Sequence, residues 1–406
     1  MNYETYTLPS GIRLIHQHRA GGTGYCGIFL NTGSRDESPE EEGMAHFIEH
    51  LLFKGTKKRK AYHILSRMED AGGEINAFTT KEETFIYTSF LKEDYPRALE
   101  LLSDMIFGSA FPSREIGKER EVVLDEISAY DDNPVELIYD EFENLTYPGQ
   151  PLGHFILGNP EKIKRFSRED IEKFYRTHYF TDEMVIASTG DIPFQKLVRL
   201  AEKYFSDVPA RTREIPRDLS SNYIPARQTF DKRTSQTHCI IGVPGYPYLS
   251  SKRPALLLLS NILGGQGLNS RLNLSLREKR GYAYIVETSY NAYTDSGILS
   301  VYFGTENRHL QKSIDLTLSE FTRLREEKLG PVQMQRAKKQ MTGMLIRIAE
   351  YAENRLPGMA KSMFYHNRGV LLEEKLKAIE DVTADDIRAI ANEILLPENV
   401  SIVVFK

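Results

Sequence analysis

Gly43-Met44-Ala45-His46-Phe47-Ile48-Glu49-His50-Leu51-Leu52-Phe53-Lys54-Gly55-Thr56 combines an apolar helical pattern with the ionisable side chains of His46, Glu49 and His50. Its centre is H-x-x-E-H. On a helix each residue turns by about 100°, so positions 46, 49 and 50 fall within roughly a 100° arc. Three polar side chains then share one face. Phe47, Ile48, Leu51 and Leu52 are apolar, as in a helix packed inside a domain. An interior helix with a His-Glu-His face needs a partner for it, because unpaired buried polar groups are costly. Two histidines one turn apart can hold a metal ion, and a glutamate beside them can move protons.

Working outward, Ser38-Pro39-Glu40-Glu41 has the form of a helix start, with Ser as N-cap, Pro at the first position and Glu at the third. We read it as the start of the metal-binding helix, with Gly55 as its stop. Before it, residues 3–16 alternate around Pro9-Ser10-Gly11 as a hairpin, and Tyr25 to Asn31 is a second strand. After it come a helix over about 61–71, strands at 74–80 and 84–90, helices at 92–109 and about 113–132, and a break at Asn133-Pro134 followed by a short helical stretch.

The chain repeats itself. Ser167-Arg168-Glu169-Asp170-Ile171 opens a helix and Thr181 to Ile186 enters a strand; Thr383-Ala384-Asp385-Asp386-Ile387 and Pro397 to Ile402 do the same at one shared offset, 216 residues. An offset near half the chain length implies an internal duplication. The expected fold class is α+β: two tandem homologous α/β repeats, each a mostly antiparallel sheet packed against several helices. The expected domains are 1–210, carrying the metal site, and 225–406, without metal ligands, joined by a linker at 211–224. Aligning Gly55 with Gly265 puts Leu256, Leu259 and Ser260 where His46, Glu49 and His50 stand, so the second copy has lost its ligands.

Composition narrows the function. The 406 residues are 40% hydrophobic and 27% charged, ordinary for a soluble globular protein. A net charge of −5 argues against nucleic acid as the main partner. Two distant cysteines, Cys26 and Cys239, form no disulfide framework and fit a reducing compartment. No leader pattern and no run of about 18 apolar residues occurs, so we expect a cytoplasmic protein without a membrane partner.

A catalytic zinc usually takes three protein ligands and leaves one position for water. The helix after Pro112 contains Glu119-Arg120-Glu121-Val122-Val123-Leu124-Asp125-Glu126. Glu119 and Glu126 share a face at seven apart, but spacing alone leaves Glu119, Glu121, Asp125 and Glu126 all open as the third ligand.

Over nearly its whole length the chain resembles the pitrilysin/insulinase family of zinc peptidases, and especially the mitochondrial processing peptidase-like branch. The resemblance lies in Asn31-Thr32-Gly33-Ser34-Arg35-Asp36-Glu37, His50 to Thr56, and Gly72-Gly73-Glu74-Ile75-Asn76-Ala77-Phe78-Thr79. It implies one Zn²⁺ per chain on His46, His50 and Glu126, the last being 76 residues after His50 as in that family. It implies Glu49 as the base that activates water, and an acid seven residues before the third ligand, Glu119, that orients a ligand. It further implies peptide binding along the strand at Asn76 and Ala77, and Phe53 as a wall for the residue after the cut. Glu136 and Asp140 would be an acidic pair for a basic side chain.

In the second half, Gly264-Gly265-Gln266-Gly267 precedes Arg277 and Tyr284, seven apart. The resemblance implies that they reach an active site from the opposite half, Arg277 on the substrate backbone and Tyr284 on the developing oxyanion, with Tyr282 as rival to Tyr284. The glycine run lacks the spacing of a phosphate loop. Long members of the family hold four such repeats and this chain holds two. A homodimer completing each site across its interface is therefore expected, or a heterodimer with a related subunit. The expected function is a zinc endopeptidase for extended or unfolded peptides, cleaved inside a chamber formed by two half-chamber subunits. The alternative is a non-catalytic core, assembly or peptide-binding subunit of the same fold.

Overall fold

Strands rich in aromatic and β-branched residues build two sheets. In the first half these are β1 (Glu4–Thr7), β2 (Arg13–His18), β3 (Thr23–Leu30), β4 (Glu74–Thr79), β5 (Thr84–Leu91) and β6 (Met184–Gly190). They lie in the order β1-β2-β6-β3-β5-β4, with β2 and β6 parallel and every other pair antiparallel. The second half supplies β7 (Arg227–Phe230), β8 (Thr237–Pro244), β9 (Ala283–Ala292), β10 (Gly297–Thr305) and β11 (Ser401–Phe405), in the order β7-β11-β8-β10-β9. The first pair, β7 and β11, is parallel and the rest are antiparallel. Strand for strand, β2-β6-β3-β5-β4 and β7-β11-β8-β10-β9 have one topology. The chain is thus a mixed α/β structure of two homologous halves. In this computed structural model residues 2–214, 216–219, 222–265 and 267–406 are described; Ile215, Ser220 and Ser221 of the expected linker and Gln266 of the glycine run lie outside them.

The 216-residue offset survives as matched local chemistry. The helices Arg168–His178 and Ala384–Ile394 keep that offset at both ends. Each opens on a reciprocal cap: the Ser167 hydroxyl accepts from the Asp170 amide at 3.2 Å while Asp170 accepts from the Ser167 amide at 2.9 Å. Thr383 and Asp386 repeat this at 3.1 and 2.8 Å.

The compact units are not the sequential halves 1–210 and 225–406. The first unit takes 1–128, 154–217 and 347–372; the second takes 129–153, 218–346 and 373–406. Each half has thus given one helix to the other's unit. In the first unit, Leu356, Met359, Ala360 and Met363 of the helix Ala352–His366 pack on Phe29 and Val185 of the sheet. In the second, the helix Pro134–Thr146 brings Phe142 so close to β8 that a Cβ on Gly242 would lie 2.3 Å from its ring. The stretch read as a linker is partly anchored: Arg213 and Arg217 are paired with buried Asp36 at 2.8 and 2.7 Å in the first unit.

The helix that carries H-x-x-E-H starts later than expected. Ser38 and Glu41 do form a reciprocal cap, but on a short 3-10 turn, Pro39–Glu41. Gly43 then takes a left-handed conformation (φ +95°), and the helix runs from Met44 to Leu52. Its real cap is the buried Glu37 carboxylate, which accepts from the amides of Gly43 (2.9 Å) and Ala45 (2.8 Å). Gly158 crosses this start so closely that a Cβ there would sit 2.3 Å from Gly43 Cα.

That crossing generates a stability test. Gly158→Ala combines a steric clash with a left-handed backbone (φ +81°). It should lower the unfolding free energy by about 2 kcal/mol or more. Gly149→Ala has a similar φ, +67°, but nothing within 4 Å of the added carbon. It should cost about 1 kcal/mol. Urea unfolding of the two variants measures the difference, and equal losses would show that the crossing does not constrain the helix.

Candidate metal centre

All but one residue of the helix Met44–Leu52 is buried, including His46 and Glu49; His50 is half-buried. The rings of His46 and His50 lie 4.5 Å apart at 64°. Facing them is the 19-residue helix Ser113–Asp131. Its Glu126 carboxylate stands 3.4 Å from His50 Nε2 and 3.8 Å from His46 Nε2. Among the described residues, His46, His50 and Glu126 form a group whose donor atoms all lie within 4.8 Å of one another.

The trio fits a zinc ion. Tetrahedral ligands about 2.0–2.1 Å from zinc are separated by about 3.3 Å, close to the distances seen. Two imidazoles and a carboxylate are an ordinary donor set for a catalytic zinc. Glu119 engages His50 Nδ1 at 2.9 Å, which makes Nδ1 the protonated nitrogen of a neutral ring and leaves the Nε2 lone pair for a metal. Lys54, one turn beyond His50, holds the other oxygen of Glu119 at 2.8 Å.

Burial and neighbours set the charges. Burial, and then His50, push His46 down to about 3, so it stays neutral, as a ligand must. Burial also pulls on His50, but Glu119, Glu126 and Glu49 outweigh it and raise its pKa. Glu119 is held below the usual carboxylate range: burial opposes this, and the hydrogen bonds from His50 and Lys54 overcome it. Burial raises Glu49, with its Thr79 hydrogen bond pulling the other way.

Glu49 is not a member of the donor trio. Its Oε2 accepts from the Thr79 hydroxyl at 2.6 Å. Thr79 ends β4, the terminal strand of the first sheet, and touches Thr84, whose hydroxyl reaches the Thr32 carbonyl. Asn76 and Ala77 lie on this same strand, where the Asn76 Oδ1 accepts from the Ala77 amide at 2.8 Å. Phe53 closes the helix Met44–Leu52 and is partly buried against the core. Thr79, Lys54 and Glu37 are the functional neighbours that sequence reasoning missed. Each lies in a stretch that carries the family resemblance, and Lys54 also stands one turn after His50.

The remaining candidates belong to the second unit. In the helix Pro134–Thr146, Asp140 is buried and accepts from the Tyr130 hydroxyl at 2.7 Å, whereas Glu136 is exposed. Arg277 lies in a π-helical turn, Asn273–Glu278, and its guanidinium stands 5.0 Å from the centre of the Tyr284 ring. Tyr284, on terminal strand β9, is 75% exposed. The rival, Tyr282, is stacked on His309 at 4.3 Å.

Comparison with known proteins bears on this arrangement. Residues 14–160 match the family model described as insulinase (peptidase family M16), and residues 165–341 match the one described as the peptidase M16 inactive domain. An uncharacterized zinc protease of Rickettsia felis is 35% identical, over 90% of this chain and 88% of its own. The uncharacterized zinc protease YmxG of Bacillus subtilis is 30% identical, over 96% and 95%. The fold is also that of a protease from Helicobacter pylori, with a TM-score of 0.91 at 22% identity, covering 100% of this chain and 99% of that one. A protein from Pseudomonas fluorescens described as a peptidase M16 inactive domain has a TM-score of 0.90 at 18% identity, covering 100% and 98%.

Proton and metal compete for His50, which generates a pH test. Because its pKa is raised above 6.5 without a metal, zinc affinity should begin to fall, as pH drops, above the pH of an ordinary imidazole. Glu119→Gln leaves an oxygen to accept from Nδ1 but removes the negative charge that helps raise His50, so the fall should move to lower pH, while affinity at neutral pH drops about ten- to hundredfold. Competition against a fluorescent chelator between about pH 5 and pH 8 reads both effects. An unmoved pH profile would remove Glu119 from its role.

Proposed function

The chain belongs to the insulinase family, peptidase family M16, and on that premise we propose that it is a zinc-dependent endopeptidase for extended or unfolded peptides. His46, His50 and Glu126 are its ligands, for one Zn²⁺ per chain. When bound, the ion polarises the peptide carbonyl and lowers the pKa of water toward neutrality. Glu49 takes a proton from the attacking water and delivers it to the leaving amine. Thr79 fixes one oxygen of Glu49, and burial raises its pKa toward the range useful for a base. Glu119 and Lys54 hold His50 in the ligating tautomer.

The observation that carries this reading is the coincidence of a His-His-Glu donor set with a separate carboxylate tied to the end of a terminal strand. One side of β4 has no strand partner among the described residues, so an extended peptide can add there by backbone pairing. The Asn76 side chain now covers the Ala77 amide and would give it up to the peptide. Phe53 is the wall for the residue after the cut, and Glu136 with Asp140 receives a basic side chain upstream.

We further assign Arg277 and Tyr284 to the site of a second subunit, so that two half-chambers close one homodimer; a related subunit could take the partner's place. The Arg277–Tyr284 contact supports treating the two as one device. No helix is long and apolar enough to cross a membrane among the described residues, and both cysteines are free and buried. These features are consistent with our placing the protein in the cytoplasm. The other reading, a non-catalytic assembly or peptide-binding subunit, draws on the words "inactive domain" in one family model. That model covers 165–341, which contains none of the four, whereas His46, Glu49, His50 and Glu126 fall in 14–160.

Glu49→Gln tests the role of the base. It should retain one zinc per chain and lose about 10²- to 10⁴-fold in cleavage of a quenched-fluorescent peptide. Undiminished cleavage would exclude Glu49 as base. Mixing tests the shared site. Glu49→Gln and Tyr284→Phe should each be nearly inactive alone. After subunit exchange at equal amounts, they should regain about one quarter of wild-type activity, because half the dimers are mixed and each has one intact site. No regain would mean that the site is built within one chain.

A further inference from the structure

On the far side of β4 from the metal centre lies a second feature. Ile75, Ala77 and Thr79 face the metal-binding helix: the first two pack on its core, and Thr79 bonds Glu49. Phe78 belongs to the opposite face, where it packs with Tyr87, its ring 6.4 Å away, under the exchanged helix Ala352–His366. There a cavity of about 470 Å³ is lined by Phe78, Tyr87, Ile348, Glu353, Asn354 and Pro357. All six residues belong to the first unit.

The lining has a definite chemistry. Two aromatic rings, an isoleucine and a proline form apolar walls, and a glutamate and an asparagine supply the polar groups of the lining. None of the six is basic. Tyr87 has its pKa raised, by burial first and then by the carboxylates of Glu353 and Glu74, so both acids act at this spot. Rings with a carboxylate in the same lining suit a long side chain whose stem is apolar and whose tip is cationic.

Its position says what brings that side chain. In an extended peptide paired along β4, successive side chains point to opposite faces of the sheet. Those on one face pass the metal centre, and those on the other pass Phe78 and Tyr87. We propose that this cavity binds the lysine or arginine side chain of a peptide lying on β4, with Glu353 as counter-charge and Phe78 and Tyr87 as aromatic walls. The proposal rests on β4 being the peptide-binding strand. It assigns a specificity determinant to a helix that comes from the non-catalytic half of the chain.

The test uses quenched peptides that differ at one position, scanned along the sequence, with Lys, Arg, norleucine or Glu. At one position, distinct from the one served by Glu136 and Asp140, Lys and Arg should raise kcat/KM over norleucine about tenfold in the wild type, and about twofold or less in Glu353→Gln. Glu353→Lys should turn the preference toward Glu at that same position. An unchanged ratio in Glu353→Gln, or no basic preference at any position, overturns the proposal. If the wild type cuts none of the peptides, the peptidase reading fails, and the cavity is judged by binding alone. Anisotropy with zinc-loaded Glu49→Gln should then show the Lys peptide bound more tightly than the norleucine peptide, with the difference abolished by adding Glu353→Gln. Equal binding of the two peptides overturns the proposal.

Discussion

Everything at the centre of this protein follows from burying a charged face on a nine-residue helix. Such a face is stable only if each group finds a partner. Glu49 has Thr79, Glu119 has His50 and Lys54, and Glu37 has the helix's own first amides. Three carboxylates, Glu49, Glu119 and Glu126, surround two imidazoles, with Lys54 the ammonium on Glu119. With neutral imidazoles those groups sum to a formal charge of −2, which a divalent cation balances. Electrostatics and donor geometry therefore ask for the same occupant.

The duplicated fold places the candidate ligand set, among the described residues, in one half and apolar packing at the equivalent helix of the other. Both halves share one five-strand topology and one capping device. In the second half the equivalent helix, Arg253–Gly264, buries Leu256, Leu259 and Ser260, so its interior closes with apolar packing and needs no ion. The terminal strands correspond too. β4 carries Asn76 and Ala77, and its counterpart β9 carries Tyr284. Proposed substrate contacts thus sit on the same strand of each copy, one beside a metal centre and one beside an arginine.

How much of this could be read from the chain depends on the range of each interaction. The H-x-x-E-H face and the paired caps at 167 and 383 are local, and the structure keeps them. The Ser38 cap was also legible, yet it caps the wrong element, because Gly43 breaks the chain direction between it and the helix. Spacing alone left Glu126 level with Glu119, Glu121 and Asp125; the family resemblance singled it out, and helix packing sets its carboxylate beside both imidazoles while Glu119 lies on His50 Nδ1. The exchange of helices Pro134–Thr146 and Ala352–His366 left no local mark at all. The cavity at Glu353 was invisible for the same reason, since its walls come from segments some 270 residues apart.

Anomalous diffraction at the zinc edge from crystals of the zinc-loaded protein addresses the central claim without reference to activity. One peak per chain is expected, about 2.0–2.2 Å from His46 Nε2, His50 Nε2 and a Glu126 oxygen, with Glu49 outside the ligand set. A peak elsewhere, or a closed site with Glu49 as fourth protein ligand, would contradict that claim.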